Sequence, residues 1–311
     1  MWITSLLNQV RTPNAIALGN FDGLHRGHQA VMAPILQGTF PSGVHRTLVT
    51  FQPHPQEFFT GQPRSLLTPL EEKIALLQTM GFDQLILLPF NRELAALTPP
   101  AFVDDILSHR LQAKVISVGM DFCFGYQRSG TADDLRTLAQ AHGIATIVTP
   151  LQRIEGDRIS SSAIRQALLE GDPQRARHLL GRAYRLIGSV VQGQQLGRRL
   201  GFPTANLQLP PEKFLPRRGV YAVTVQGVDA LGNPLLAKGV MNIGCRPTVD
   251  GTAQTVEVHL LDWSGDLYGQ TIMVDLDTFL RPEQQFASLE ELTTQIQLDC
   301  THARAHWQLL T

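Results

Sequence analysis

The sequence predicts an α/β domain built on a parallel sheet, followed by a small antiparallel β domain closed by a terminal helix. Three observations carry this. Through the first half, short apolar runs alternate with longer helical patterns, the order that lays parallel strands beneath covering helices. After Gly181 the helical patterns stop, and Val- and Ile-rich runs follow one another across turns of Gly, Pro and Asn, as in an antiparallel sheet or small barrel. From Ser288 a long helical pattern resumes. With 311 residues, 43% hydrophobic and 17% charged, the chain has material for two cores. The expected domains are 1–182 and 183–311.

The elements follow in order. AIAL (Ala15 to Leu18), TLVTF (Thr47 to Phe51), QLILLPF (Gln84 to Phe90), KVISVGM (Lys114 to Met120) and ATIVTP (Ala145 to Pro150) read as buried strands. HQAVMAPILQ, PLEEKIALLQTMG, PPAFVDDILSHRL and TADDLRTLAQAHG lie between them and are long enough for helices, several opening on Pro or Asp and closing near Gly. A helical pair comes next. ISSSAIRQALLEG starts with serine caps and stops at Gly171; DPQRARHLLG has Asp as cap, Pro in the first turn and Gly181 at its end. The strand-like runs RLIGSVVQG, GVYAVTVQG, LLAKGVMNIG, QTVEVHLLD and TIMVDL then succeed each other. Ser288 and Glu291 stand as a capping box before the final helix.

Composition narrows the function classes. A formal net charge of -1 and a pI near 6.8 argue against a nucleic-acid binder that depends on a broad basic surface. Cys123, Cys245 and Cys300 are far apart and show no CxxC or Cys/His metal spacing, so neither disulfides nor structural zinc is expected. No run of 18 apolar residues occurs, and the first residues lack a signal-peptide core. The expectation is a cytoplasmic protein with no membrane partner; self-association stays open.

The densest motif is GNFDGLHRGHQ, Gly19 to Gln29, directly after the first strand. Ligands of parallel α/β sheets bind beyond the carboxyl ends of the strands, so this loop falls on the binding edge. Gly23 and Gly27 allow a tight turn or a close backbone approach. A helix N-terminus offers unpaired N–H groups and partial positive charge to an anion. His25 and His28 add donors that titrate near neutrality. The set suits stabilising charge on a phosphate under attack. An isolated HxxH is otherwise an ordinary capping or surface pair, and weak evidence for zinc.

GNFDGLHRGH resembles the HxGH signature of the nucleotidyltransferase superfamily, and ISSSAIR (Ile159 to Arg165) resembles that superfamily's ISSTxxR motif. Serines at a helix start and an arginine in its first turn are suited to phosphates. TFQPHP (Thr50 to Pro55) and VGMDFCFGYQRSG (Val118 to Gly130) are similar to segments of the bacterial bifunctional riboflavin kinase/FMN adenylyltransferase family. The chain departs from that pattern at Cys123, where Arg is more usual, and at Ser162, where Thr is more usual.

The second half carries GQQLGRRLGFPTANL, Gly193 to Leu207, and no GxxxxGK[ST] occurs. Gly193, Gly197 and Gly201 make a loop whose amides suit phosphates. Thr204 and Asn206 bring oxygen donors suited to Mg²⁺; alone, PTAN reads as a turn between strands. In QTVEVHLLD, strand alternation puts Val256, Val258 and Leu260 on one face and Glu257 with His259 on the other. Glu257 is either a solvated carboxylate or a base for an attacking hydroxyl. LGFPTANL, GVYAV, VMNIGCRPTV, VEVHLLD, DLYG and LRPEQQF, in this order, resemble the riboflavin kinase domain of the same family.

The resemblance spans nearly the whole chain and implies a Rossmann-like nucleotidyltransferase domain before a β-barrel kinase domain. It implies riboflavin, FMN, FAD and ATP as ligands and Mg²⁺ as cofactor. Glu257 would be the kinase base, with Thr204 and Asn206 on the metal and Gly193, Gly197 and Gly201 closing over ATP. His25 and His28 would stabilise adenylyl transfer. Gly19, Asn20, Phe21, Asp22, Gly23, Ser161, Ser162 and Arg165 would bind the triphosphate, and Asp121 would contact the flavin side or Mg²⁺. Two other readings remain: an adenylyltransferase for another phosphate-bearing small molecule, and a non-catalytic flavin-binding module.

Overall fold

The computed structural model describes residues 1–154, 156–193, 197, 200–248 and 251–309. It divides into two compact units, Met1–Ser161 and Ser162–Thr311.

The first unit holds a six-stranded parallel sheet: β1 (Trp2–Thr4), β2 (Asn14–Leu18), β3 (His45–Gln52), β4 (Gln84–Pro89), β5 (Ala113–Gly119) and β6 (Ala145–Thr149). In space they run β1-β4-β3-β2-β5-β6, every pairing parallel. Strand β2 is buried along its length, as the sheet's two covered faces require. Ile16 and Leu18 join Ile116, Val118 and Leu135 in one core, while Ala15 and Ala17 face Met32, Ile35 and Leu77 in the other. The second core lies under α1 (Arg26–Gln37) and α2 (Leu70–Met80); the first lies under a π-helical segment, Phe102–Arg110, and α3 (Ala132–Ala141). The buried Ser117 hydroxyl donates to the Val31 carbonyl at 2.7 Å, pinning α1 onto β5.

This order places the topological switch between β2 and β5. The chain leaves β2 for β3 on one side and returns past it to β5 on the other. A crevice for ligands opens beyond the carboxyl ends of those two strands.

The second unit begins with α4, whose residues run Ser161–Glu170, and α5 (Pro173–Leu180). Asp172 caps α5 by accepting from the Arg175 N–H, and Gly181 ends it in the left-handed region. Then β7 (Arg185–Val191), β8 (Ala205–Gln208), β9 (Gly219–Val228), β10 (Pro234–Thr248), β11 (Gly251–Leu260) and β12 (Thr271–Pro282) close a barrel in the order β7-β8-β11-β10-β9-β12. All pairings are antiparallel, and closure leaves no open edge. The terminal helix α6 (Leu289–Gln308) packs Cys300 and Ala303 against Val220, Ala222 and Val240.

Four local readings change. Trp2–Thr4 is a short edge strand that its three residues did not reveal. PTAN is not simply a turn: Ala205 begins β8, with Ala205 and Leu207 buried and Asn206 on the other face. The helix expected over PPAFVDDILSHRL is a short α-turn, Pro99–Ala101, continued by π-helix. At Ser288 only half of the capping box forms. The Ser288 Oγ accepts from the Glu291 N–H at 3.1 Å, but the Glu291 carboxylate accepts from Ala287 instead. No described helix is long and apolar enough to cross a membrane.

Candidate active sites

In the first unit the chain leaves β2 at Leu18 and turns through Gly19–Leu24 before α1. Phe21 (φ 35°), Gly23 (φ 92°) and Leu24 (φ 45°) adopt left-handed backbone. For Phe and Leu that is strained, and strain persists only where surroundings enforce it. Here both side chains are buried. The Gly23 N–H donates to Thr68 Oγ1 at 2.6 Å, and the Thr68 N–H donates to Asp22 Oδ1 at 3.2 Å. Ser161 Oγ donates to the Asp22 carbonyl at 2.7 Å. Ser161, 139 residues along the chain, therefore braces the histidine loop. Phe21 and Asp22 turn their side chains inward, while Asn20 is exposed.

His25 caps α1, its Nδ1 accepting from the His28 N–H at 3.2 Å. That bond leaves the ring proton on Nε2. His28 stacks on His25 with centroids 3.6 Å apart and planes 15° apart, and Phe21 meets His28 edge-on at 5.2 Å. A Cβ at Gly27 would lie 3.1 Å from His25 Nδ1, so the glycine of the HRGH run makes room for the ring. Burial holds the His28 pKa well below the usual histidine value, and the charges of His25 and Lys73 push it further down. His28 thus rests as a neutral imidazole. Its Nδ1 is inaccessible and has no hydrogen-bond partner.

Asp121 follows β5, at the other side of the switch. Its carboxylate pairs with Arg158, and Cys123 Sγ approaches its carbonyl at 3.7 Å. Arg158 lies in a short hairpin, Arg153–Ile154 against Asp157–Arg158. Sequence reasoning passed over Arg158, whose only signal was its position immediately before ISSS. It also passed over an aromatic group at the carboxyl edge: Phe51, Phe90, and Phe58 and Phe59 of the helix Pro55–Thr60, in edge-on contacts of 5.3–5.8 Å. Phe59 is 70% exposed. The clue was PQEFF directly after TFQPHP. Lys73 was missed as well, although it occupies the apolar stripe of α2 between Leu70 and Leu77.

Ser162 and Arg165 belong to the second unit, on α4 with Ser161 at its start. There the Arg165 guanidinium lies 5.5 Å over the Phe214 ring.

The second unit contains a cleft of about 290 Å³ at the barrel mouth, lined by Gly197, Thr204, Asn206 and Glu257 among others. Glu257 projects from β11 between Asn206 of β8 and Asn242 of β10, its direct cross-strand partners. Directly opposed residues share a face, so the three side chains form one row. As alternation predicts, Val256, Val258 and Leu260 are buried. His259 Nδ1 lies 2.8 Å from the Pro203 carbonyl, with its ring edge-on to Phe202.

The three glycines serve different purposes. A Cβ at Gly193 would lie 2.3 Å from the Asn206 amide; one at Gly197 would lie 2.4 Å from the Phe202 carbonyl and 3.4 Å from Thr204 Oγ1. These two let the loop press against the oxygen donors. Gly201 has open space but φ +87°, which needs glycine for its backbone. Gln194, Gln195, Leu196, Arg198 and Arg199 of the same loop lie outside the described residues.

The opposite wall comes from α6 and the segment after β12: Glu283, Phe286, Leu292, Ile296, Arg281 and Asp299. Arg281 forks onto Asp299, Nε to Oδ1 and Nη2 to Oδ2 both at 2.8 Å, both side chains largely buried. Thr204, Asn206 and Glu257 together offer a hydroxyl, an amide carbonyl and a carboxylate. That hard-oxygen set, in one cleft, fits Mg²⁺ shared with substrate phosphates.

Two family models match the chain: FAD synthetase over residues 7–163 and riboflavin kinase over 180–307. A Pseudomonas fluorescens protein named bifunctional riboflavin kinase/FMN adenylyltransferase is 42% identical, covering 93% of this chain and 91% of its own. Proteins of the same name from Escherichia coli K12 and Bacillus subtilis are 43% and 35% identical, each covering 94% of this chain and 93% and 92% of their own. A solved structure from Streptococcus pneumoniae, named a macrolide-efflux protein, superposes with a TM-score of 0.84 at 29% identity, over 97% of this chain and 98% of that one.

Proposed function

The chain belongs to the family of bifunctional riboflavin kinase/FMN adenylyltransferases, making FMN from riboflavin and then FAD, and we propose that residues 1–182 carry the adenylyl transfer and 183–311 the phosphorylation. The observation that carries this division is the row Asn206–Glu257–Asn242 in the barrel cleft, set against the stacked histidines at the sheet's switch point. One site suits a hydroxyl nucleophile that must lose a proton; the other suits a nucleophile that is already an anion.

In the barrel cleft, riboflavin enters with its ring against Phe286, Leu292 and Ile296 and its ribityl chain toward Glu257. Glu257 takes the proton of the terminal hydroxyl as that oxygen attacks the γ-phosphorus of ATP, and ADP leaves. Thr204 and Asn206 hold Mg²⁺, which when bound neutralises phosphate charge. Gly193, Gly197 and Gly201 bring their loop close enough to cover the phosphates.

In the first unit an FMN phosphate oxygen attacks the α-phosphorus of ATP and pyrophosphate leaves. The nucleophile needs no base, so His25 and His28 work as donors to the pentavalent centre. The histidine loop, with Gly19, Asn20 and Gly23, meets the triphosphate through backbone N–H groups and the α1 N-terminus. Ser161 completes that binding, Asp121 and Arg158 flank the flavin side, and Phe59 offers a face for the flavin ring. The enzyme works in the cytoplasm on riboflavin, FMN and ATP, without a nucleic-acid or membrane partner.

An endpoint assay tests the reading. The purified chain is incubated with riboflavin, ATP and Mg²⁺, and the flavins are separated by chromatography. FAD as end product is expected. FMN accumulating without FAD would remove the adenylyl half, and conversion of supplied FMN but not riboflavin would remove the kinase half.

A further inference from the structure

Lys73 projects from α2 on the stripe that buries Leu77, and it is only 8% exposed. Among the described residues its ammonium has no hydrogen-bonded or ion-paired partner. The charge that bears on it is the buried Asp22 carboxylate, which favours the ammonium, and its own charge bears in turn on His28. Burial lowers its pKa and Asp22 pushes the other way. The start of α2 is clamped to the histidine loop by the Gly23–Thr68–Asp22 hydrogen bonds, so the lysine and the loop are held as one piece.

A buried cation without a direct partner carries a desolvation penalty, which the Asp22 charge offsets only in part. Cores keep such groups where a ligand completes them. The missing partner of a cation is anionic, and the charge of this lysine bears on His28 of the loop at the sheet's ligand edge.

We propose that Lys73 is a phosphate-binding residue of the adenylyl-transfer site, reaching the substrate phosphates from beneath the His25–His28 loop. This rests on the assignment of that loop to adenylyl transfer. Two phosphate sources share the chemistry, the ATP triphosphate and the FMN phosphate. Either one favours the charged ammonium when it arrives, because an adjacent anion raises a lysine pKa.

The test is steady-state FAD formation from FMN and ATP by wild type, Lys73→Met, Lys73→Arg and His28→Ala. Riboflavin phosphorylation is followed on the same preparations, and melting with and without ATP or FMN. Lys73→Met is expected to lose at least tenfold in kcat/KM for adenylyl transfer, with phosphorylation unchanged and the ligand-free melting temperature equal or higher. Lys73→Arg recovers part of the loss. A rise in KM for ATP assigns the contact to the triphosphate, and a rise in KM for FMN assigns it to the flavin phosphate. Adenylyl transfer within twofold of wild type in Lys73→Met overturns the proposal. So does a loss of activity that tracks a lower ligand-free melting temperature, which would make Lys73 a structural residue. Retention of adenylyl transfer by His28→Ala would instead defeat the site assignment itself.

Discussion

Asn206 and Glu257 stand directly opposite each other across the β8–β11 ladder, which sets a candidate metal ligand beside a candidate base. Neighbours in a ladder are held by backbone hydrogen bonds on both strands, so their spacing does not depend on a mobile loop. Asn242 completes the row from β10.

Replacing Glu257 with Gln keeps the shape of that row and removes the proton acceptor. Riboflavin phosphorylation should fall by about 10²–10⁴-fold in kcat, the usual range for a positioned base. Conversion of FMN to FAD should be unchanged. Both rates can be read from one preparation supplied with riboflavin or with FMN, and an intact kinase rate in the variant would dismiss the base.

Gly193 tests the loop in the same way. An alanine methyl there would meet the Asn206 amide at 2.3 Å, so the amide must move. Gly193→Ala should therefore displace Asn206 and cost about as much kinase activity as Asn206→Ala. The double variant should be no worse than either single one, since residues in contact are non-additive. Additive losses would mean the glycine acts elsewhere.

The His28 titration predicts an acid limit for the first unit. Its folded pKa lies well below 6.5, so between the two values the unfolded chain binds a proton that the folded chain refuses. Stability therefore rises with pH in that window: the contribution is complete above about 6.5 and is lost as pH falls below it. Amide protection in residues 21–29, taken relative to the intrinsic exchange rate at each pH, should fall between pH 7 and pH 5, and His28→Asn should flatten that dependence. An unchanged slope in the variant would place the titration on another group.

The Arg281–Asp299 pair ties the helical wall of the kinase cleft to the barrel. Asp299→Ala leaves a buried guanidinium without its partner, at a cost of about 3–5 kcal/mol. Amide protection across Leu289–Gln308 should drop, and KM for riboflavin should rise more than kcat falls. Replacing both partners, Arg281→Met with Asp299→Leu, should recover most of the stability, as apolar isosteres of buried pairs do. Unaltered protection in Asp299→Ala would mean that the helix's other contacts, among them the packing of Cys300 and Ala303 and the Trp307 Nε1–H donated to Asp277, hold it without the pair.

How much was legible follows from distance along the chain. The strand–helix alternation, the helix stops at Gly171 and Gly181, and the inward face of Val256, Val258 and Leu260 are local, written in periods of two or three to four residues. The histidine motif is local too, since His25, Gly27 and His28 share one helix start. Short elements escaped: β1 has three residues and β8 four, too few to display a period. The π-helical segment escaped because its apolar residues also satisfy an α-helical spacing.

The sequence by itself determined the fold class, the two motifs proposed for catalysis and the residues that make them chemically apt. Only the tertiary structure decided what surrounds them. It placed Ser161 under the histidine loop, paired Asp121 with Arg158, set Asn206 and Asn242 on either side of Glu257, and buried Lys73 beside His28. Each of these joins segments tens of residues apart, and only sheet order and barrel closure bring such segments together. A lysine on an apolar stripe reads in one dimension as a stem reaching for water. Its burial exists only once α2 is clamped beside the β2–α1 turn and most water is gone.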